Sequence, residues 1–161
     1  MNSPHVLEER VVFGRDIKPE VNACLQEAVA CAYDFERARE LFYRARDMQP
    51  DQLEVYIALY KFCFYRGHLD EAEQVALDTL QQSAQRGGFP ADWLQLDHDS
   101  TDWMVEEGPA RVYLYSLKAL AFIRLRKGEQ DAAREVLSKL QQLDSQDLVG
   151  ASVIMTLAEA L

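Results

Sequence analysis

Apolar residues recur every three or four positions along most of the chain, the spacing that gathers them on one face of an α-helix. Val21, Leu25, Ala28, Val29 and Ala32 mark a first helix. Asp16 stands where it would cap that helix, with Pro19 in the opening turn. Tyr33-Asp34 interrupts the pattern, and Phe35, Ala38, Leu41, Phe42, Ala45 and Met48 form a second stripe that Pro50 must end. From Leu53 to Arg66 the residues are apolar almost all round, predicting a helix buried on two faces. Arg66-Gly67 closes it with a cation in the last turn and a residue able to turn left-handed. Leu69, Ala72, Val75, Ala76, Thr79 and Leu80 supply a fourth helix. A fifth runs from Val112 to Lys127 and ends at Gly128, and Ala132, Ala133, Val136, Leu137, Leu140 and Leu143 supply a sixth. Asp144 and Asp147 lead into a seventh, Leu148 to Leu161. The fold class is all-α.

Two stretches stand outside this pattern. Residues 1–17 read as an N-terminal leader, where apolar Val11-Val12-Phe13 is broken by Gly14-Arg15-Asp16. Residues 18–161 then form a single domain, interrupted by an inserted segment over 86–109. That segment opens with Arg86-Gly87-Gly88-Phe89-Pro90 and holds both tryptophans, Trp93 and Trp103, with Leu94 and Met104 among six carboxylates. A structureless loop of this length is unusual in a compact domain, so one or two short helical turns are expected. Its tryptophans either fold over a binding surface as a lid or partner contact, or fill the space between the flanking helix pairs.

The helices repeat. Asp34-Phe35-Glu36-Arg37-Ala38 and His68-Leu69-Asp70-Glu71-Ala72 set matching alanines 34 residues apart. Gly128-Glu129-Gln130-Asp131-Ala132-Ala133 brings a third copy after one period plus the insert. A period of this length is the mark of stacked helix–turn–helix units.

These residues resemble the tetratricopeptide repeat family. Tyr56, Leu59, Gly67 and Ala72 match it in one repeat. Ala38, Phe42, Ala45 and Pro50 match it in the preceding one, and Leu117, Leu120, Ala121, Gly128 and Ala133 in the last. The resemblance implies a right-handed superhelix of stacked antiparallel helix pairs, about three repeats, with the last helix as a cap. It departs from the family at Asn22, Gln26, Val29, Tyr60, Cys63 and Ala84. It also implies a concave groove built from the first helix of each pair. Aligned this way, the groove carries Glu20, Ala23, Glu27 and Ala30, then Glu54, Ile57, Lys61, Phe64 and Tyr65, then Tyr115, Lys118, Phe122, Leu125 and Arg126. The carboxylate-holding set of lysines and asparagines in some members is missing, since Ala23, Glu27 and Ala58 stand in its places. Size, acidity and repeat number are similar to the type III secretion chaperones of the family.

Composition narrows the function. A chain of 161 residues can bury roughly 70% of its unfolded surface, so no metal or disulfide is needed to fold it. The net charge of −10 argues against nucleic acid and anionic membranes as partners. It favours a basic client instead. Cys24, Cys31 and Cys63 fall within helical pattern without metal-ligand spacing, which suits a reducing cytoplasm. No secretory signal or membrane-spanning run is present in the sequence.

Candidate chemistry is sparse. Asp97-His98-Asp99-Ser100-Thr101-Asp102 begins like a calcium loop, but Asp102 takes the turn position that needs glycine and Gly108 replaces the closing glutamate. His5, His68 and His98 are scattered, with no nucleophile beside them, and Glu106-Glu107 lies in an acidic stretch. Neither catalysis, metal nor cofactor is expected. The expected function is an adaptor or chaperone that buries an apolar segment of another protein against Ile57, Phe64, Tyr65, Tyr115 and Phe122, fringed by Lys61, Lys118 and Arg126. The alternative is a structural subunit that pairs with its own copy or a permanent partner.

Overall fold

The computed structural model describes residues 16–160. All of the leader expected over residues 1–17 except Asp16 and Ile17 therefore lies outside the described residues. Seven α-helices and no strand occur among them: α1 (Pro19–Ala30), α2 (Phe35–Met48), α3 (Leu53–Tyr65), α4 (Leu69–Gly87), α5 (Pro109–Arg126), α6 (Gln130–Leu143) and α7 (Ala151–Ala160). Helices α1 and α2, α3 and α4, and α5 and α6 pack as pairs. The pairs join through α2 on α3 and α4 on α5, and α7 covers α5 and α6 at the end of the stack. This is an all-α helical repeat fold.

Small residues set the approach of the rods. Ala38, Ala72 and Ala133, the three repeated alanines, are each 0% exposed. A methyl side chain there lets two backbones close to the short end of helix-packing distances. Leu59, Leu117, Leu120, Leu137 and Leu140 fill the core around them.

Helix ends follow local chemistry. At Gly67 and Gly128, φ is +82° and +83°. His68 and Glu129 donate back to the carbonyls of Cys63 and Arg124 at 2.9 Å, closing the same left-handed terminus in two repeats. Helix α2 starts at Asp34, whose carboxylate accepts the Arg37 N–H at 3.2 Å.

Three boundaries differ from expectation. Lys18, rather than Asp16, precedes α1, and its side chain makes no cap. Gln49 holds that end instead, accepting from the Lys18 N–H and donating to the Asp16 carbonyl, both at 3.0 Å. Helix α4 runs through Gly87, past the expected break at Arg86, and ends on left-handed Gly88. Buried Thr79 and Ser83 remain helical because their hydroxyls bond back to the Val75 and Thr79 carbonyls. Helix α7 begins at Ala151 rather than Leu148, because Asp147 and Gly150 take positive φ. Buried Asp144 organises that entry, accepting the N–H groups of Leu148 and Val149 at 2.9 Å.

The inserted segment is part of the core. It contains one short 3-10 turn, Trp93–Gln95. Phe89, Leu96 and Trp103 are buried, and the ring centroids of Phe89, Trp103 and Tyr113 lie 5.0–5.9 Å apart. The Trp103 indole donates to the Asp97 carbonyl at 2.9 Å, and Tyr113 donates to the Ala91 carbonyl at 2.6 Å. Trp103 is only 3% exposed, so the lid or partner-contact reading is corrected for it: its ring is consumed in packing. Trp93 is half-buried with the Arg124 guanidinium 5.6 Å above its ring.

Two glutamates of α4 tie the three pairs together. Glu71 reaches back to Arg39 and Tyr43 of the first pair, both at 2.7 Å. Glu73 reaches forward to Arg124 at 3.0 Å and Lys127 at 2.6 Å in the third. Burial raises the pKa of each glutamate, but hydrogen bonds from Tyr43 and Arg39, and from Lys127 and Arg124, outweigh it and hold both below the usual carboxylate range. A depressed folded pKa contributes stability above the unfolded value, about 4.3, and that contribution disappears as pH falls through the folded value. Lys127 is shifted upward by its bonds to Asp70 and Glu73, so its contribution is lost only at strongly alkaline pH. The urea midpoint should therefore hold from pH 7 to about 5 and fall below about 4. Glu71→Gln with Glu73→Gln should lower stability at pH 7 and shrink the acid loss. An acid loss equal to that of the unaltered protein would clear these two carboxylates of the role.

Candidate binding cleft

Helices α3 and α5 are the first members of adjacent pairs and touch directly. A cleft of ≈ 270 Å³ opens between them. Each helix is apolar nearly all round, so residues that cannot all face the core must line something else. On α3 these are Lys61, Phe64 and Tyr65, above Tyr60. On α5 they are Tyr115, Lys118, Ala119, Phe122 and Ile123, and Ile154 of α7 closes one end.

The floor is aromatic and tightly ordered. The Phe64 and Phe122 centroids are 5.3 Å apart, and Tyr65 meets Phe64 edge-on at 5.5 Å. Tyr65 is 76% exposed, which leaves a large ring at the rim without cover. Tyr60 is buried beneath, its hydroxyl 3.2 Å from the buried Ser116 hydroxyl, so its polar tip is satisfied.

Cations sit on these rings. The Lys61 ammonium donates to the Tyr115 hydroxyl at 3.2 Å and lies 5.1 Å from that ring. Lys118 approaches the same ring at 5.9 Å, and the Arg126 guanidinium lies 5.2 Å from the Phe64 ring. The lining itself holds two lysines and no carboxylate.

Of the groove residues expected from sequence, Lys61, Phe64, Tyr65, Tyr115, Lys118 and Phe122 come together here. Two are displaced. Ile57 lies one turn earlier on α3, packed half-buried against the core. Arg126 stands outside the lining and joins it only through Phe64. Leu125 is 7% exposed and belongs to the core. Neither Trp93 nor Trp103 lines the cleft. Tyr60 and Ile154 were missed. Ile154 carried a signal, since the apolar stripe of α7 faces the end of the stack, but only the packing angle of α7 brings it to the cleft.

Among the described residues no cluster of three or more histidine, cysteine, aspartate or glutamate side chains could hold a metal. Asp97 folds its own turn, accepting the Asp99 N–H at 2.8 Å, and His98 bonds Asp99 at the surface. Cys24, Cys31 and Cys63 are buried free thiols; Cys31 terminates α1 rather than lying within it. Burial pushes the Cys63 thiol up to about 12 and raises Cys24 as well, which suppresses thiolate chemistry. No helix of the described residues is long and apolar enough to cross a membrane.

No family model and no solved structure matches this chain. It is 30% identical over 120 residues to the uncharacterized 19.8 kDa protein in the nifW 5' region of Azotobacter chroococcum mcd 1, a match covering 73% of this chain and 67% of that protein. The chain belongs to the same family as that Azotobacter protein.

Proposed function

We propose that the protein is a tetratricopeptide-type adaptor or chaperone of the cytoplasm, which binds an apolar segment of another protein in the cleft between α3 and α5. One observation carries this reading: a preformed aromatic cleft whose rim ring, Tyr65, is 76% exposed. An exposed aromatic surface of this kind suits a partner's apolar side chain better than water. The size and acidity are similar to the type III secretion chaperones. The test is affinity capture from the source cell, repeated with Phe64→Ala and Phe122→Ala. Both rings stand at the cleft floor, so each variant should lose the same captured protein at least tenfold while keeping its helical content. Undiminished capture by both variants would contradict the reading.

A second reading rests on a different surface. Val153 and Leu157, one turn apart on α7, are 62% and 46% exposed, and Leu148 is 41% exposed. They form an apolar edge on the cap of the stack that would suit a copy of the chain or a permanent partner. Light scattering of the purified protein separates the two: a concentration-independent dimer, abolished by Leu157→Asp, favours the structural subunit.

A further inference from the structure

The chain carries 27 acidic and 17 basic residues, so a cation has a carboxylate available almost anywhere on its surface. Among the described residues some take one: Arg39 holds Glu71, Arg86 meets Asp51, and Arg124 and Lys127 share Glu73. Lys61, Lys118 and Arg126 do not. Among the described residues none of the three has a carboxylate within 4.0 Å, although all three converge on the cleft. Each is held over a ring instead, Lys61 and Lys118 over Tyr115 and Arg126 over Phe64. Lys118 is half-buried and Lys61 and Arg126 are exposed, and each rests on an aromatic face without a carboxylate at ion-pair distance.

From this we infer that the segment taken by the cleft is acidic, a large apolar side chain flanked within about one helical turn by aspartates or glutamates. This rests on the cleft being the binding surface and reverses the preference expected from net charge. Net charge governs encounter over distances beyond about 10 Å, where salt screens it. Selection is made at the contact, where the partner's carboxylates would meet three cations that form no close ion pair within the chain, Asp147 acting on Lys118 only from beyond 4.0 Å. The apolar residue would lie on the packed Phe64–Phe122 ring pair, and the carboxylates would lie along the rim between Lys118 and Arg126. A basic segment in the same place would set its ammonium groups against all three.

The experiment uses the full chain and three synthetic fluorescent peptides of equal length. Each carries the same leucine-phenylalanine pair, flanked by four glutamates, four glutamines or four lysines. By fluorescence anisotropy, the glutamate peptide should bind at least tenfold tighter than the glutamine peptide and the lysine peptide weakest. Raising the salt from 50 to 500 mM should narrow that gap in the unaltered protein. Lys118→Glu with Arg126→Glu should reverse the order, while Arg44→Glu, on the surface of α2, should leave it unchanged. Equal binding of all three peptides, weakened by Phe122→Ala, would overturn the acidic preference and leave the cleft reading standing. Absence of binding, or binding indifferent to Phe122→Ala, would overturn both. Displacement of the glutamate peptide by an oligodeoxynucleotide of the same charge would also overturn the inference, because the apolar floor would then play no part.

Discussion

Trp103→Ala is expected to lower the free energy of unfolding by about 3–5 kcal/mol, the range for deleting a large buried aromatic side chain. Trp103 is 3% exposed and packs against Phe89 and Tyr113, so little can collapse into the space it leaves. Its indole N–H also anchors the Asp97 carbonyl, which would be left without that donor. Trp93→Ala should cost much less. That ring is half-exposed, and its buried Nε1 has no hydrogen-bond partner among the described residues, so removing it relieves an unfavourable burial. Urea denaturation of both variants reads the difference. A Trp103→Ala loss below about 1 kcal/mol would mean that the inserted segment lies loosely on the stack.

Ala72→Leu is expected to destabilise the protein by about 1–3 kcal/mol or more, through crowding rather than loss of contact. Ala72 has no exposed surface and lies in the helix that contacts both α3 and α5. Three added carbons there must push rods apart or force strained rotamers, and the displacement would pass to the ties made by Glu71 and Glu73 one residue to either side. Gln74→Leu, exposed on the same helix, is the control and should stay within about 0.5 kcal/mol. Thermal unfolding of the pair checks this. Equal tolerance of leucine at both positions would remove the close approach of helices as the basis of the stack.

Much of this architecture was legible because it is written in local signals. The alanines at 38, 72 and 133 mark where backbones touch, and Gly67 and Gly128 mark where the chain must turn left-handed, which few other residues tolerate. Six of the cleft residues came from the resemblance to the repeat family, which assigns the inner face of the first helix in each pair. What failed depends on distant partners. Trp103 could serve as lid or core until Phe89 and Tyr113 are seen around it. Leu125 looked like a groove residue by the family alignment, which cannot report that it is buried in the core. The late start of α7 turns on Asp147 at φ +56°, a conformation that aspartate adopts more readily than most residues but does not announce.

The central claim is that partner segments seat between α3 and α5. It is tested most directly by placing a photo-crosslinking amino acid at Phe122 in the cleft and, separately, at exposed Gln74 on α4. Irradiation in the source cell should join a partner protein to the chain through position 122 and not through position 74. Crosslinking through position 74, with none through position 122, would contradict the account.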